Sequence, residues 1–183
     1  MKFVFTHCFY EKFQAPNASE ITAAIQEDLF STPEVQQDWQ NVCNLKTFDL
    51  DPEKYLPLIE PSLKIFLNGI GFKEFPQLTT FTPWANCYTR NCFQETHHHS
   101  AHDLVCVYFP RIEENYAKFY FYDRHGVEVS EAWKKLGKIE SLYTPDIQSG
   151  DIMFFPGYML HGVGCHRSDE VRTSFSMNFN FNL

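Results

Sequence analysis

Gln94-Glu95-Thr96-His97-His98-His99-Ser100 is the stretch that organises this 183-residue chain. It is answered far downstream by Phe155-Pro156-Gly157-Tyr158-Met159-Leu160-His161, and then by Arg172-Thr173-Ser174. Side chains alternate between the faces of a strand, so His97 and His99 share one face and His98 takes the other. Two imidazoles on one face can share a metal. His161 follows a buried-looking run, Gly150-Asp151-Ile152-Met153-Phe154-Phe155-Pro156, and a glycine-containing turn. A strand pair closing over the His-x-His strand would bring it to the third ligand position. Imidazoles suit iron, zinc, copper and nickel. Arg172 and Ser174 share a face if extended, where a guanidinium grips a carboxylate with two parallel hydrogen bonds and the hydroxyl adds a third. The plain alternatives are a solvated histidine run, a hydrogen-bonded core His161 and a surface arginine in a salt bridge.

Outward from these motifs the chain divides in two. After an opening strand in Met1–His7, the first third reads as helical. Asn17-Ala18-Ser19-Glu20 offers a cap and an early acid, and Ile21, Ile25 and Leu29 then recur on one apolar face. A second helical region spans Asp51-Pro52-Glu53 to Gly69-Ile70-Gly71, with Pro61 expected to divide it. From about residue 75 short apolar runs follow one another: 75–81, 84–88, 103–109, 118–122, 152–155 and 175–181. Ser176-Met177-Asn178-Phe179-Asn180-Phe181 alternates apolar and polar. Many short strands favour a sandwich or barrel. Residues 123–148 lack a pattern and read as a long loop or lid beside the site.

Composition excludes several classes. At 183 residues one domain is expected, long enough to bury a core: 1–74 as helical support and 75–183 as the β core. Aromatic content of 17%, with 19 Phe, fits a β-rich interior. A net charge of −8 argues against nucleic acid as a partner. The longest apolar runs are too short to span a bilayer, so no membrane partner is expected. Six cysteines without a Cys-x-x-Cys read as reduced thiols of a cytosolic protein. No Gly-x-Ser-x-Gly supports a serine hydrolase. Oligomeric state is open.

The segments Trp84-Ala85-Asn86-Cys87-Tyr88, Gln94 to Ser100, Leu104-Val105-Cys106-Val107-Tyr108-Phe109, Gly150 to Pro156, His161 and Arg172-Thr173-Ser174-Phe175-Ser176-Met177-Asn178-Phe179 resemble a family of iron/2-oxoglutarate oxygenases common in phages and marine bacteria. The resemblance covers roughly residues 80–183. It implies a double-stranded β-helix, the cupin-like jelly roll. It also implies Fe(II) held by His97, His99 and His161, and the co-substrate 2-oxoglutarate held by Arg172 with Ser174 assisting. Tyr88 and Asn86 become candidates for the co-substrate's other end. The implied activity is a dioxygenase that uses molecular oxygen to hydroxylate a peptidyl side chain or small metabolite, yielding succinate and CO2. The implied location is the cytoplasm, of a host cell if phage-encoded. The wider superfamily pairs two histidines with a carboxylate, whereas this chain has His99 in the middle position. Glu95 and Asp103 share strand parity with His97 and offer substitutes, although Asp103 lies roughly 13 Å from His99 along an extended chain. Two competing readings stand beside this one: a three-histidine cupin-like dioxygenase acting without 2-oxoglutarate, and a non-catalytic jelly-roll binding module.

Overall fold

A computed structural model describes residues 8–35, 43, 45–72, 74–123, 130–137 and 141–182. The expected strand at 1–7 lies outside these residues. The chain runs β1 (Glu11–Gln14), α1 (Ala18–Ser31), β2 (Lys46–Asp49), α2 (Pro52–Gly69), β3 (Gln77–Thr80), β4 (Trp84–Tyr88), β5 (Gln94–His97), β6 (Leu104–Tyr108) and β7 (Phe119–Tyr122). It continues with α3 (Glu131–Gly137), β8 (Leu142–Tyr143), β9 (Asp151–Pro156), β10 (His161–Val163) and β11 (Arg172–Asn182).

Two antiparallel sheets face each other. The major sheet has the order β1-β9-β6-β11-β4-β2, with β3 paired to the far half of β11; the minor sheet has the order β5-β10-β7-β8. From β4 onward the chain passes back and forth between them, which is the double-stranded β-helix. The long β11 is its spine: Arg172 to Ser176 pair with Tyr88 to Trp84, while Phe175 to Phe179 pair with Tyr108 to Leu104.

Strand alternation sorts the core into two clusters. Cys106, Tyr108, Ile152, Phe154, Phe175, Met177 and Phe179 leave one face of the major sheet and meet Ile21 and Ile25 of α1 and Tyr55, Ile59, Leu63 and Phe66 of α2. Val105, Val107, Phe109, Met153 and Phe155 leave the other face and meet Phe119, Phe121 and Val163 of the minor sheet. The helices therefore buttress the back of the major sheet, and the space between the sheets is left for the site.

Several sequence expectations change. β1 and β2 join the major sheet, so the first 74 residues are helical support with two added strands. Asn17 does stand before α1, but its side chain makes no cap hydrogen bond; its Nδ2 donates to Leu58 O at 3.0 Å and ties α1 to α2. Asp51 caps α2 as expected, accepting from Glu53 N at 2.9 Å. Pro61 does not divide that helix, which runs unbroken through Pro57 and Pro61. Each proline removes one intrahelical donor. The buried Tyr55, Ile59, Leu63, Phe66 and Leu67 hold the helix on the sheet regardless. Residues 123–148 are not a featureless loop, for they carry α3 and β8. Within them, β8 forms the edge of the minor sheet opposite the β5 edge. Among the described residues, all six cysteines are free and no helix is long and apolar enough to cross a membrane.

Candidate metal centre

His161 opens β10 and pairs directly with His97, the last residue of β5. Their ring centroids are 4.4 Å apart. His99 lies beyond the end of β5, in a turn rather than on a strand. Its N–H donates to Gly157 O at 2.7 Å, and its carbonyl accepts from His102 N at 2.8 Å. Gly157 has no room for a side chain, since a Cβ there would run into the carbonyls of His99 and His102. This crossing carries His99 back over the sheet, where its Nε2 lies 3.1 Å from His97 Nε2. One ligand nitrogen from each of the three histidines falls within 4.8 Å of the other two. His98 is exposed and turned aside, accepting from Ser100 N at 3.3 Å.

The other nitrogen of each ring is committed. His97 Nδ1 donates to Glu95 O at 2.8 Å, and His161 Nδ1 to Met159 O at 2.9 Å. A carbonyl only accepts, so both rings carry their proton on Nδ1 and present an Nε2 lone pair. His99 Nδ1 meets Asn178 Oδ1 at 3.0 Å and takes the same tautomer. Outer partners of this kind orient a metal-binding imidazole. Burial is the main force lowering all three protonation equilibria. It brings His99 to about 4, partly offset by the bond to Asn178. It pulls His97 down and His161 well down, the latter helped by the neighbouring His97 and His99. The rings are thus neutral near pH 7, the form that binds metal. Phe155 and Phe119 pack against His161 at 4.8 and 5.6 Å, and the residue is buried.

The substitutes for His99 are occupied elsewhere. Glu95 accepts a hydrogen bond from the Cys43 thiol, whose own proton burial and that contact hold up to about 11. Asp103 Oδ2 accepts from Phe181 N at 2.9 Å. Neither is in the cluster of convergent ligand atoms among the described residues.

The major sheet supplies the other wall. Arg172, Ser174, Ser176 and Asn178 point inward from β11 by parity, and all are buried. Arg172 is 1% exposed and stacks on the Tyr88 ring at 4.7 Å. Its Nε and Nη1 have no acceptor, and no carboxylate pairs with it among the described residues. Burial lowers its proton affinity, yet a guanidinium stays charged near neutral pH. Tyr88 is cross-strand from Arg172, and Asn86 from Ser174. Burial raises the Tyr88 hydroxyl, which the charge of Arg172 and bonds to Ser174, Arg172 and Asn86 partly counter. Asn86 Oδ1 also accepts from Thr47 Oγ1 at 2.9 Å. Arg172, Tyr88 and the three histidines line one cavity of about 430 Å³. A buried cation without a partner is costly, and an exogenous carboxylate would satisfy it. The residues present therefore fit a metal beside a carboxylate-bearing chelator. Sequence reasoning missed Asn178; its parity with Arg172 and Ser174 was the available signal.

A jelly roll with convergent imidazoles and a buried arginine suits a metal-dependent oxygenase. The chain belongs to the family described as "Putative 2OG-Fe(II) oxygenase", whose model matches residues 82–178. No curated protein matches it. Solved structures share the fold. An oxidoreductase of the 2OG-Fe(II) oxygenase family from Burkholderia pseudomallei superposes with a TM-score of 0.67 at 14% identity, over 93% of this chain and 84% of that one. HygX from Streptomyces hygroscopicus, with nickel, 2-oxoglutarate and hygromycin B bound, gives 0.68 at 9% identity, over 95% and 83%. A Pseudomonas putida prolyl-4-hydroxylase gives 0.64 at 12% identity, over 93% and 92%.

Proposed function

We propose that this oxygenase is a hydroxylase of a peptidyl side chain or small metabolite that uses Fe(II), 2-oxoglutarate and molecular oxygen and releases succinate and CO2. The observation that carries the reading is the buried Arg172 guanidinium, with Nε and Nη1 unsatisfied and no carboxylate partner among the described residues, in the same cavity as three convergent imidazoles. In this reading His97, His99 and His161 hold the iron through Nε2. Arg172 takes the far carboxylate of 2-oxoglutarate with Ser174 beside it; Tyr88 and Asn86, expected from the sequence at the co-substrate's other end, instead lie cross-strand from Arg172 and Ser174 and border this same end. Bound there, iron and 2-oxoglutarate would together supply the activation of oxygen. The chain's own work is positional. Glu95 O, Met159 O and Asn178 Oδ1 fix the three tautomers, so no ligand proton must be lost before metal binds. Phe119 and Phe155 pack beside His161.

The test is succinate formation. Protein reconstituted anaerobically with Fe(II) and 2-oxoglutarate, then exposed to oxygen, is expected to form succinate above a His161→Ala control, slowly and without added substrate. Iron bound with no succinate formed, even across a panel of amino acids and peptides, would favour the three-histidine dioxygenase or the binding module.

A further inference from the structure

The cavity has a charge pattern that the iron and 2-oxoglutarate reading does not use. Two carboxylates line it besides the groups already assigned: Asp49 from the major sheet and Glu95 from the minor. Thr47 faces inward, as its hydrogen bond to Asn86 fixes, and Asp49 has the same parity on β2. Asp49 is cross-strand from Trp84, and Trp84 in turn from Ser176. The row Asp49–Trp84–Ser176 thus lies one step from the row Thr47–Asn86–Ser174. Trp84 lies 5.6 Å from the His99 ring, so the indole borders the metal ligands. Glu95 shares its strand and its parity with His97, and although its Oε2 accepts from the Cys43 thiol, that contact leaves its second oxygen and its charge to the cavity.

Among the described residues no lysine or arginine pairs with Asp49 or Glu95. Lys46, the basic residue on β2, has the opposite parity and pairs with Glu34 at 3.6 Å. Among the described residues the one lysine or arginine lining the cavity is Arg172, itself buried with Nε and Nη1 unsatisfied. With three neutral imidazoles, a divalent metal and a dianionic co-substrate cancel. Arg172 then offsets one of the two carboxylates, and a single negative charge is left for the substrate to balance. An indole face beside that charge adds attraction for a cation and none for an anion.

We propose that the substrate carries a protonated amine or guanidinium, held between Asp49 and Glu95 and against Trp84. This rests on the oxygenase reading, and it names the substrate class that reading leaves open. Cation recognition here also acts as rejection, because a second dicarboxylate or an acidic side chain meets like charge.

The experiment uses the whole protein loaded with Ni(II) and 2-oxoglutarate, so that binding is read without turnover. Binding of 2-oxoglutarate is first measured by calorimetry. Affinities are then compared within matched pairs: L-lysine against L-norleucine, L-arginine against L-citrulline, and acetylated Gly-Lys-Gly amide against its norleucine counterpart. The free amino acids and the blocked peptides separate a metabolite from a peptidyl source. The expected result is a preference for the cationic member of at least one pair by about tenfold or more. That preference should shrink toward unity in Asp49→Asn and Glu95→Gln and return in Asp49→Glu, which a folding defect would not do. Bound 2-oxoglutarate with equal affinity in every pair, or with no cationic probe binding at 10-millimolar order, overturns the substrate class alone. Failure to bind 2-oxoglutarate at all overturns the oxygenase reading beneath it.

Discussion

Replacing Arg172 by methionine separates a residue that waits for a ligand from one that holds the fold. The wild-type guanidinium is 1% exposed and leaves Nε and Nη1 without acceptors. Each unsatisfied buried donor costs about 1–3 kcal/mol. Against this, the stack on Tyr88 at 4.7 Å contributes about 0.5–2 kcal/mol. Methionine fills a similar volume without the charge, so the ligand-free fold should be unchanged or gain roughly 1–3 kcal/mol. At about 2–4 °C per kcal/mol for a chain of this size, melting should stay level or rise by several degrees. Co-substrate binding should move the other way. Two charge-assisted hydrogen bonds are worth about 1.5–3 kcal/mol each, so 2-oxoglutarate affinity should fall by roughly 10²- to 10⁴-fold. Scanning calorimetry of the metal-free protein and titration of the Ni(II)-loaded protein with 2-oxoglutarate measure the two arms. A variant that melts several degrees lower and still binds 2-oxoglutarate normally would refute the reasoning, making Arg172 a structural residue.

Metal content after purification should survive His98→Ala and collapse in His97→Ala and His161→Ala, read by elemental analysis. A His99→Ala protein that keeps its full metal would return Glu95 to consideration. Asn178→Leu removes the acceptor that orients His99 and should weaken metal binding by about 10–100-fold, with Asn178→Asp restoring it. The metal-free protein should lose stability on acidification. The folded-state value of His99 is depressed to about 4 from 6.5, so its contribution is complete above pH 6.5 and is lost as pH falls toward 4. His99 alone accounts for a loss on the order of 3 kcal/mol, visible as a falling urea midpoint across that window. A flat midpoint there would contradict the neutral burial of the ring.

The sequence was most legible where period and burial agreed. Trp84–Tyr88 is a strand with the bounds expected, and the alternation of Ser176 to Phe181 runs through β11 as read. The same alternation put Arg172 and Ser174 on one face because β11 begins at Arg172. His97 and His99 meet for a reason the strand rule did not contain. β5 ends at His97, and His99 returns through a turn tied to Gly157. β1 and β2 were illegible because Glu11-Lys12-Phe13-Gln14 and Lys46-Thr47-Phe48-Asp49 are short and mostly polar. Each becomes a strand by pairing at a sheet edge with partners far along the chain, β1 with Asp151–Phe154 and β2 with Trp84–Cys87. Pro61 misled because local propensity counts the lost donor and not the apolar face that α2 buries. Residues 123–148 misled in the opposite sense: polarity concealed α3 and the two-residue β8. The described part of this stretch does not line the cavity that holds the three histidines; its residues 144–148 line a second cavity of about 520 Å³, which Arg172 also borders.

The most direct test of the central claim is a crystal structure of the metal-loaded protein with 2-oxoglutarate. The expected result is one metal ion within about 2.0–2.2 Å of Nε2 of His97, His99 and His161, with a carboxylate of 2-oxoglutarate on Nε and Nη1 of Arg172. A metal held by Glu95 in place of His99, or 2-oxoglutarate bound away from Arg172, would contradict it.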